Sequence, residues 1–204
     1  MNKRGIAVVI SGPSGSGKGT VVKELRSICP TMQVSVSATT RHPRPGETDG
    51  VEYYFKTREE FERLIERGEV LEYTQYNGNY YGTLKSEAER IISAGDDLIL
   101  EIEVDGGAQI KRLMGRECVS VMLIAPSAAE QESRLRGRGT EDEDVIRGRM
   151  ERAREEIREA VNYDYIVVKE KDGQRECAEN ILAIMKAEHF HSTRMNTYIA
   201  EYFE

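Results

Sequence analysis

An apolar run, Ile6–Ile10, leads through Ser11 into Gly12-Pro13-Ser14-Gly15-Ser16-Gly17-Lys18-Gly19-Thr20, and a helix-forming stretch, Lys18–Ile28, follows at once. No other feature restricts the fold as much. Strand, glycine-rich turn and helix, in that order, are the context in which G-x-x-x-x-G-K acts as a phosphate cradle. Glycines let the backbone curl so that its N–H groups converge on phosphate oxygens. The helix N-terminus adds a partial positive charge of roughly half a unit. Lys18 is then placed to reach the β- and γ-phosphates of a nucleoside triphosphate, with Gly12, Pro13, Ser14, Gly15, Ser16, Gly17, Gly19 and Thr20 forming the rest of the cradle. A flexible glycine turn is the ordinary alternative, and the agreement of motif, strand and helix argues against it.

Gly19 departs from the common form, in which Ser or Thr follows the lysine. The usual hydroxyl ligand for Mg²⁺ is therefore missing at that position. Thr20 is expected to meet a phosphate oxygen. Mg²⁺ is expected to have no direct protein ligand and to rest near Thr20 on nucleotide oxygens and water, which suits its reluctance to dehydrate.

The rest of the chain repeats the strand–helix alternation. Ile6–Ser11, Leu98–Val104, Val119–Ile124 and Tyr165–Val168 read as short buried strands. Helical stretches at Lys18–Ile28, Lys85–Ser93, Ala128–Arg138, Asp144–Ala160 and Glu176–Ala187 lie among them. The expected fold is α/β, a P-loop NTPase-type, mostly parallel sheet flanked by helices. A chain of 204 residues fits one such domain with small insertions.

Residues 34–84 break the pattern. Val34, Val36 and Ala38 alternate with Ser35, Ser37 and Thr39, as in a half-buried strand, and Val51–Phe55 reads as another. Val70–Tyr76 and Asn79–Leu84 flank Asn77-Gly78, a preferred hairpin turn, and Arg58–Gly68 reads as a helix ending in glycine. A small mixed α/β insert with antiparallel strands is expected to interrupt the core. The expected division is core at 5–33, 85–125 and 150–187, insert at 34–84, helical lid at 126–149 and a tail at 188–204. In the tail, Met195, Tyr198, Ile199 and Tyr202 have helical spacing and are expected to pack on the body of the protein.

Composition narrows the partners. A net charge of −7 argues against generic nucleic-acid binding, which needs a basic field. Cys29, Cys118 and Cys177 are odd in number and match no zinc spacing, so a reducing cytoplasmic location is expected. No apolar run is long enough for a membrane span. Small-molecule substrates are expected, and the chain is expected to be a monomer or homodimer.

The insert carries candidates for a second anionic ligand. Period-two counting puts Ser37 and Arg41 on one strand face, and Arg44 follows between Pro43 and Pro45. Paired guanidinium forks on a stiff loop suit a phosphate or a carboxylate. Tyr53 and Tyr81 could add phenol donors. On residue type alone, ordinary surface arginines fit these positions equally well.

Several stretches together carry a family resemblance. They are Ser35-Val36-Ser37-Ala38-Thr39-Thr40-Arg41-His42-Pro43-Arg44-Pro45-Gly46-Glu47, Gly50-Val51-Glu52-Tyr53-Tyr54-Phe55, Gly78-Asn79-Tyr80-Tyr81-Gly82-Thr83 and Leu135-Arg136-Gly137-Arg138-Gly139-Thr140. In this order, with the cradle, they resemble guanylate kinase over roughly Gly5 to Ala187. The resemblance implies an enzyme that moves a phosphoryl group from MgATP to GMP, and also to dGMP, giving ADP and GDP. It implies that Arg41, Arg44, Tyr53 and Tyr81 hold the GMP phosphate and that Ser37, Glu72 and Thr83 read guanine. Arg134, Arg138 and Arg149 would close on the phosphoryl group with Lys18. Glu101 and Glu103 would form the acidic pair at the end of the central strand. A binding module of guanylate-kinase type without catalysis, or a kinase for another phosphorylated acceptor, are the alternatives.

The chemistry fits these residue types. Guanine offers donors at N1 and N2 and an acceptor at O6, so one carboxylate and one hydroxyl can read it. The acceptor phosphate is already ionised at neutral pH, so no general base is needed, and His42, His189 and His191 have no assigned role. Arg134 and Arg138, four apart, are expected on one helix face, and Thr140-Glu141-Asp142-Glu143 reads as a capping box for the helix that carries Arg149. Arg136, Arg147 and Arg152 read as salt-bridged surface. Two departures from the family pattern stand out: Asp105, followed by Gly106-Gly107, where many relatives carry Gln, and Lys169-Glu170, where relatives often show Asn-Asp near the adenine pocket.

Overall fold

The computed structural model describes residues 4–137 and 142–203. Its strands, in chain order, are β1 Ala7–Ser11, β2 Gln33–Val34, β3 Ala38–Thr39, β4 Tyr54–Phe55, β5 Val70–Tyr76, β6 Asn79–Leu84, β7 Leu98–Glu101, β8 Cys118–Ile124 and β9 Tyr165–Val168. Five of them form one sheet in the order β2-β7-β1-β8-β9, and every pairing in it is parallel. Such a sheet needs cover on both faces.

The helices provide it. They are α1 Lys18–Ile28, α2 Arg58–Glu66, α3 Lys85–Ser93, α4 Val104–Met114, α5 Ala128–Arg136, α6 Glu143–Arg158, α7 Gln174–Glu188 and α8 Asn196–Ala200. The period-two alternation of β1 sorts its side chains. Val8 and Ile10 pack with Val21 and Leu25 of α1 and with Ile181 and Met185 of α7. Ala7 and Val9 pack on the other face with Ala88 and Ile91 of α3 and Ile110 of α4. The sheet is thus a dry layer, and its functional ends are the carboxyl ends of the strands, where parallel sheets bind ligands.

The second sheet, β4-β3-β6-β5, has its own small core of Ala38, Phe61, Val70 and Leu84. Phe61, fully buried on α2, stacks on Tyr80 with ring centroids 5.1 Å apart. Thr57 and Glu60 form a capping box that starts α2. Asn77 and Gly78 both have positive φ, 48° and 78°, as their hairpin turn requires. The sheet is mixed rather than antiparallel, because β3 pairs in parallel with β4 and antiparallel with β6.

Other expectations are corrected. The strand read over residues 34–39 is split: Val34 pairs with Ile99 in the first sheet, and Ala38 pairs with Tyr54 and Gly82 in the second. Ser37 and Arg41 therefore do not share a strand face. Only Tyr54–Phe55 of Val51–Phe55 is a strand, since Thr48 N–H donates to Glu52 Oε2 and Gly50 has φ 79° in the preceding turn. Strand β7 stops at Glu101, and Val104–Met114 is a helix that periodicity did not reveal.

Two glycines hide that helix, because glycine weakens a helical signal. Both are required by packing. A Cβ on Gly106 would lie 2.5 Å from Ile102 Cγ2, and one on Gly107 would lie 2.5 Å from Ser11 Oγ. The tail does not pack as expected. Tyr198, Ile199 and Tyr202 are 45%, 59% and 67% exposed, on a helix of five residues. No helix among the described residues is long and apolar enough to cross a membrane.

Candidate active site

The cradle leaves β1 at the centre of the parallel sheet. Gly15 and Gly17 have φ 87° and 91°, which side chains resist, and a Cβ on Gly12 would fall 2.1 Å from Leu123 O. Lys18 Nζ donates to Gly12 O at 2.5 Å and lies 3.7 Å from Glu103 Oε1. It is thus folded across the loop it serves. Thr20 Oγ1 donates to Gly17 O at 2.7 Å.

Two helices grip the same residue of this loop. Gln131 Nε2 on α5 donates to Ser14 O at 2.8 Å, and Arg149 Nη1 on α6 donates to Ser14 Oγ at 3.1 Å. Arg134 donates from Nε to Glu130 Oε1 and from Nη2 to Lys169 O, both at 2.9 Å. Its Nη1 is buried with no partner among the described residues, as is Ser16 Oγ of the cradle. Buried unpaired donors are costly unless a ligand meets them. The loop therefore suits a triphosphate: it combines positive-φ glycines with a lysine, and the unpartnered arginine nitrogen belongs to α5, the helix that holds Ser14 through Gln131. Arg138, Thr140 and Glu141 lie outside the described residues, and α6 begins after Asp142 at its N-cap.

Across from the cradle, a cavity of about 430 Å³ opens between the two sheets, and Ser37, Tyr53, Glu72, Tyr81, Thr83, Glu101 and Glu103 all line it. These expected residues come together from five separate stretches of chain. At its base Thr83 Oγ1 donates to Glu72 Oε1 at 2.9 Å. A register shift on β5 between Val70 and Glu72 sets Glu72 opposite Thr83. Glu72 is only 8% exposed, and burial holds its carboxyl above the ordinary 4.5, opposed by the Thr83 hydrogen bonds.

Glu101 ends β7 and Glu103 is the N-cap of α4. Burial, with Glu103 nearby, pushes the Glu101 carboxyl up, while Lys18 opposes the shift. Glu101 Oε1 also lies 3.6 Å from where a Cβ on Gly19 would stand. Glu101 thus presents a carboxylate beside the cradle, where a hydrated Mg²⁺ would find a partner.

Arg41 and Arg44 do not line the cavity. Arg41 pairs in bidentate fashion with Glu47, 2.9 Å at each oxygen, and its guanidinium lies 5.4 Å from the Tyr53 ring centroid. The backbone N–H of Arg44 donates to the same Glu47 carboxylate. Glu47 therefore organises the arginine loop, a role that sequence reasoning missed. Glu47 lies six residues after Arg41, and no regular spacing points to it.

Arg136 and Arg147 are surface ion pairs as expected, with Glu132 and Glu143 and with Asp144 respectively. Arg152 is ion-paired as expected, with Glu156, yet together with Asp105 and Gln109 it also lines the cavity, where none of the three was expected. The signal for Arg152 was its spacing of three from Arg149, which shares a helix face.

A phosphate cradle on a parallel sheet, faced by a second lobe with its own ligand cavity, defines a P-loop phosphotransferase acting on two substrates. Residues 4–187 match the protein-family model for guanylate kinase. A guanylate kinase of Halalkalibacterium halodurans is 48% identical over 193 residues, 95% of this chain and 93% of that protein. One of Bacillus anthracis is 47% identical over 204 residues, 100% of this chain and 98% of its own length. The crystal structure of guanylate kinase from Anaplasma phagocytophilum superposes with a TM-score of 0.71 at 33% identity, covering 94% of this chain and 90% of that one. The chain belongs to the guanylate kinase family.

Proposed function

We propose that this protein transfers the γ-phosphoryl group of ATP to GMP, and to dGMP, giving ADP and GDP. The observation that carries the reading is the buried Glu72–Thr83 pair in a cavity that is also lined by Glu103, 3.7 Å from Lys18. An ionised Glu72 accepts from N1–H and N2–H of guanine, whereas adenine would present a lone pair at N1. Thr83 donates its one hydroxyl proton to Glu72, so Ser37 is the hydroxyl left for guanine O6.

The chemistry is positioning and charge neutralisation. Tyr53, Tyr81 and the Arg41–Arg44 loop hold the acceptor phosphate, whose ionised oxygen attacks the γ-phosphorus in line. Lys18 turns from Gly12 O to the β- and γ-phosphates, and the cradle N–H groups hold the leaving phosphate oxygen. Arg134 and Arg149 neutralise the equatorial oxygens, and α5 and α6 act as a lid that excludes water. Thr20 and Glu101 would hold a hydrated Mg²⁺, which would supply charge neutralisation to the triphosphate. Cys29, Cys118 and Cys177 are all unpaired, which supports a reducing, cytoplasmic setting.

Steady-state rates with ATP and each of GMP, dGMP, AMP, UMP and CMP test the assignment. GMP and dGMP should exceed the others in kcat/KM by at least about 10³-fold. Comparable turnover of AMP would refute it.

A further inference from the structure

Among the described residues that line the acceptor cavity, the only cationic side chain is Arg152, while Glu72, Glu101, Glu103 and Asp105 all contribute carboxyl groups. A nucleotide with an ionised phosphate entering such a wall meets mostly like charge, so one cation there has leverage.

Arg152 is not a loose surface group. Its Nε donates to Glu156 Oε1 at 2.8 Å, and neither of its terminal nitrogens has a hydrogen-bond partner among the described residues. The pair is asymmetric: the Arg152 side chain is 63% exposed and that of Glu156 only 10%. A buried carboxylate that fixes Nε leaves the outer edge of the guanidinium fork pointing to open space. Burial raises the Glu156 carboxyl, and both Glu103 and Lys18 act on it. Arg152 in turn feels Glu103 and Asp105. Arg152 and Glu156 are thus within electrostatic reach of Glu103, a cavity residue that lies 3.7 Å from Lys18. The pair also sits on the helix that reaches the cradle. Arg149, Arg152 and Glu156 follow at spacings of three and four on one face of α6, and Arg149 already touches the cradle at Ser14.

We infer that Arg152 is a further substrate-binding residue for the acceptor nucleotide, and that Glu156 is its positioning residue. Helix α6 serves both substrates: Arg149 meets the donor loop and Arg152 meets the acceptor. This inference rests on the proposed GMP kinase activity.

The test uses the full chain with Arg152→Gln, Arg152→Lys and Glu156→Gln. Steady-state KM is measured for GMP and ATP separately, GMP binding without ATP is measured by calorimetry, and Tm is recorded. Arg152→Gln should raise KM for GMP about tenfold, as the loss of a charge-assisted hydrogen bond predicts, and change KM for ATP less than about twofold. Its exposed position should leave Tm within about 2 °C. Arg152→Lys should recover part of the loss, and Glu156→Gln should fall between it and Arg152→Gln. An unchanged KM for GMP in Arg152→Gln, or equal rises for both substrates, overturns the inference while leaving the activity intact. Wild-type protein that neither binds nor phosphorylates GMP overturns the proposed activity and this inference together.

Discussion

The donor and acceptor sides are built in opposite ways. The cradle is one continuous stretch, Gly12–Thr20, whose shape follows from its own glycines and from the helix it opens. The acceptor cavity takes Ser37, Glu72, Thr83 and Glu103 from separate elements, two of them in a second sheet with its own core. A local site depends on backbone conformation, whereas an assembled site depends on packing far from the ligand. Substitutions on the two sides should therefore fail differently.

Lys18→Ala is the largest expected effect. It should lower kcat by about 10³-fold or more, since the lysine acts on charge that develops in the transition state. Tm should hardly move, and unfolding of the variant at room temperature would show the lysine to be structural instead. Glu72→Gln comes next, with an expected loss of about 10²- to 10³-fold in kcat/KM for GMP and little change in ATP binding. Equal losses for both substrates would erase the contrast between the sides.

Phe61→Ala tests whether the assembled site depends on its remote core. Loss of a fully buried ring should cost about 3 kcal/mol in denaturant unfolding. It should also raise KM for GMP while ATP binding persists. If ATP affinity falls in parallel, the two lobes do not respond separately.

The smallest expected effect is on pH. Glu72 has a folded-state pKa above 4.5, so the unfolded chain ionises it first as pH rises. Its contribution to stability is greatest below 4.5 and is lost as pH climbs from there through the raised folded value. Guanine binding needs the ionised form, so KM for GMP should rise on acidification through the same window. The fully amidated Glu72→Gln variant should lack that dependence, and its persistence in the variant would place the titration elsewhere.

This division also explains what could be read from residues alone. Helices α1 and α3, strand β9 and the β5–β6 hairpin have the boundaries their patterns suggest, because caps, turns and periodicity are local. Helix α4 escaped because Gly106 and Gly107 answer to Ile102, Ser11 and Tyr163, which only tertiary packing brings near. The strand over 34–39 looked continuous because its alternation is, yet its two ends pair in different sheets. The cradle needed only the motif. The cavity residues needed the family pattern. Arg152 lay beyond both: its spacing from Arg149 marks a shared helix face, but not that this face meets a cavity.

Ser14 joins both sides. Gln131 holds its carbonyl and Arg149 its hydroxyl, so the loop that cradles the donor is fastened to the helix that reaches the acceptor cavity. Free energy linkage must be symmetric: if donor binding favours the docked position of α6, acceptor binding favours donor affinity by the same factor. A thermodynamic box with GMP and a non-hydrolysable ATP analogue should show positive coupling of about fivefold or more. Ser14→Ala should shrink both arms of that box equally, and a one-sided change would mean that the lobes communicate by another route.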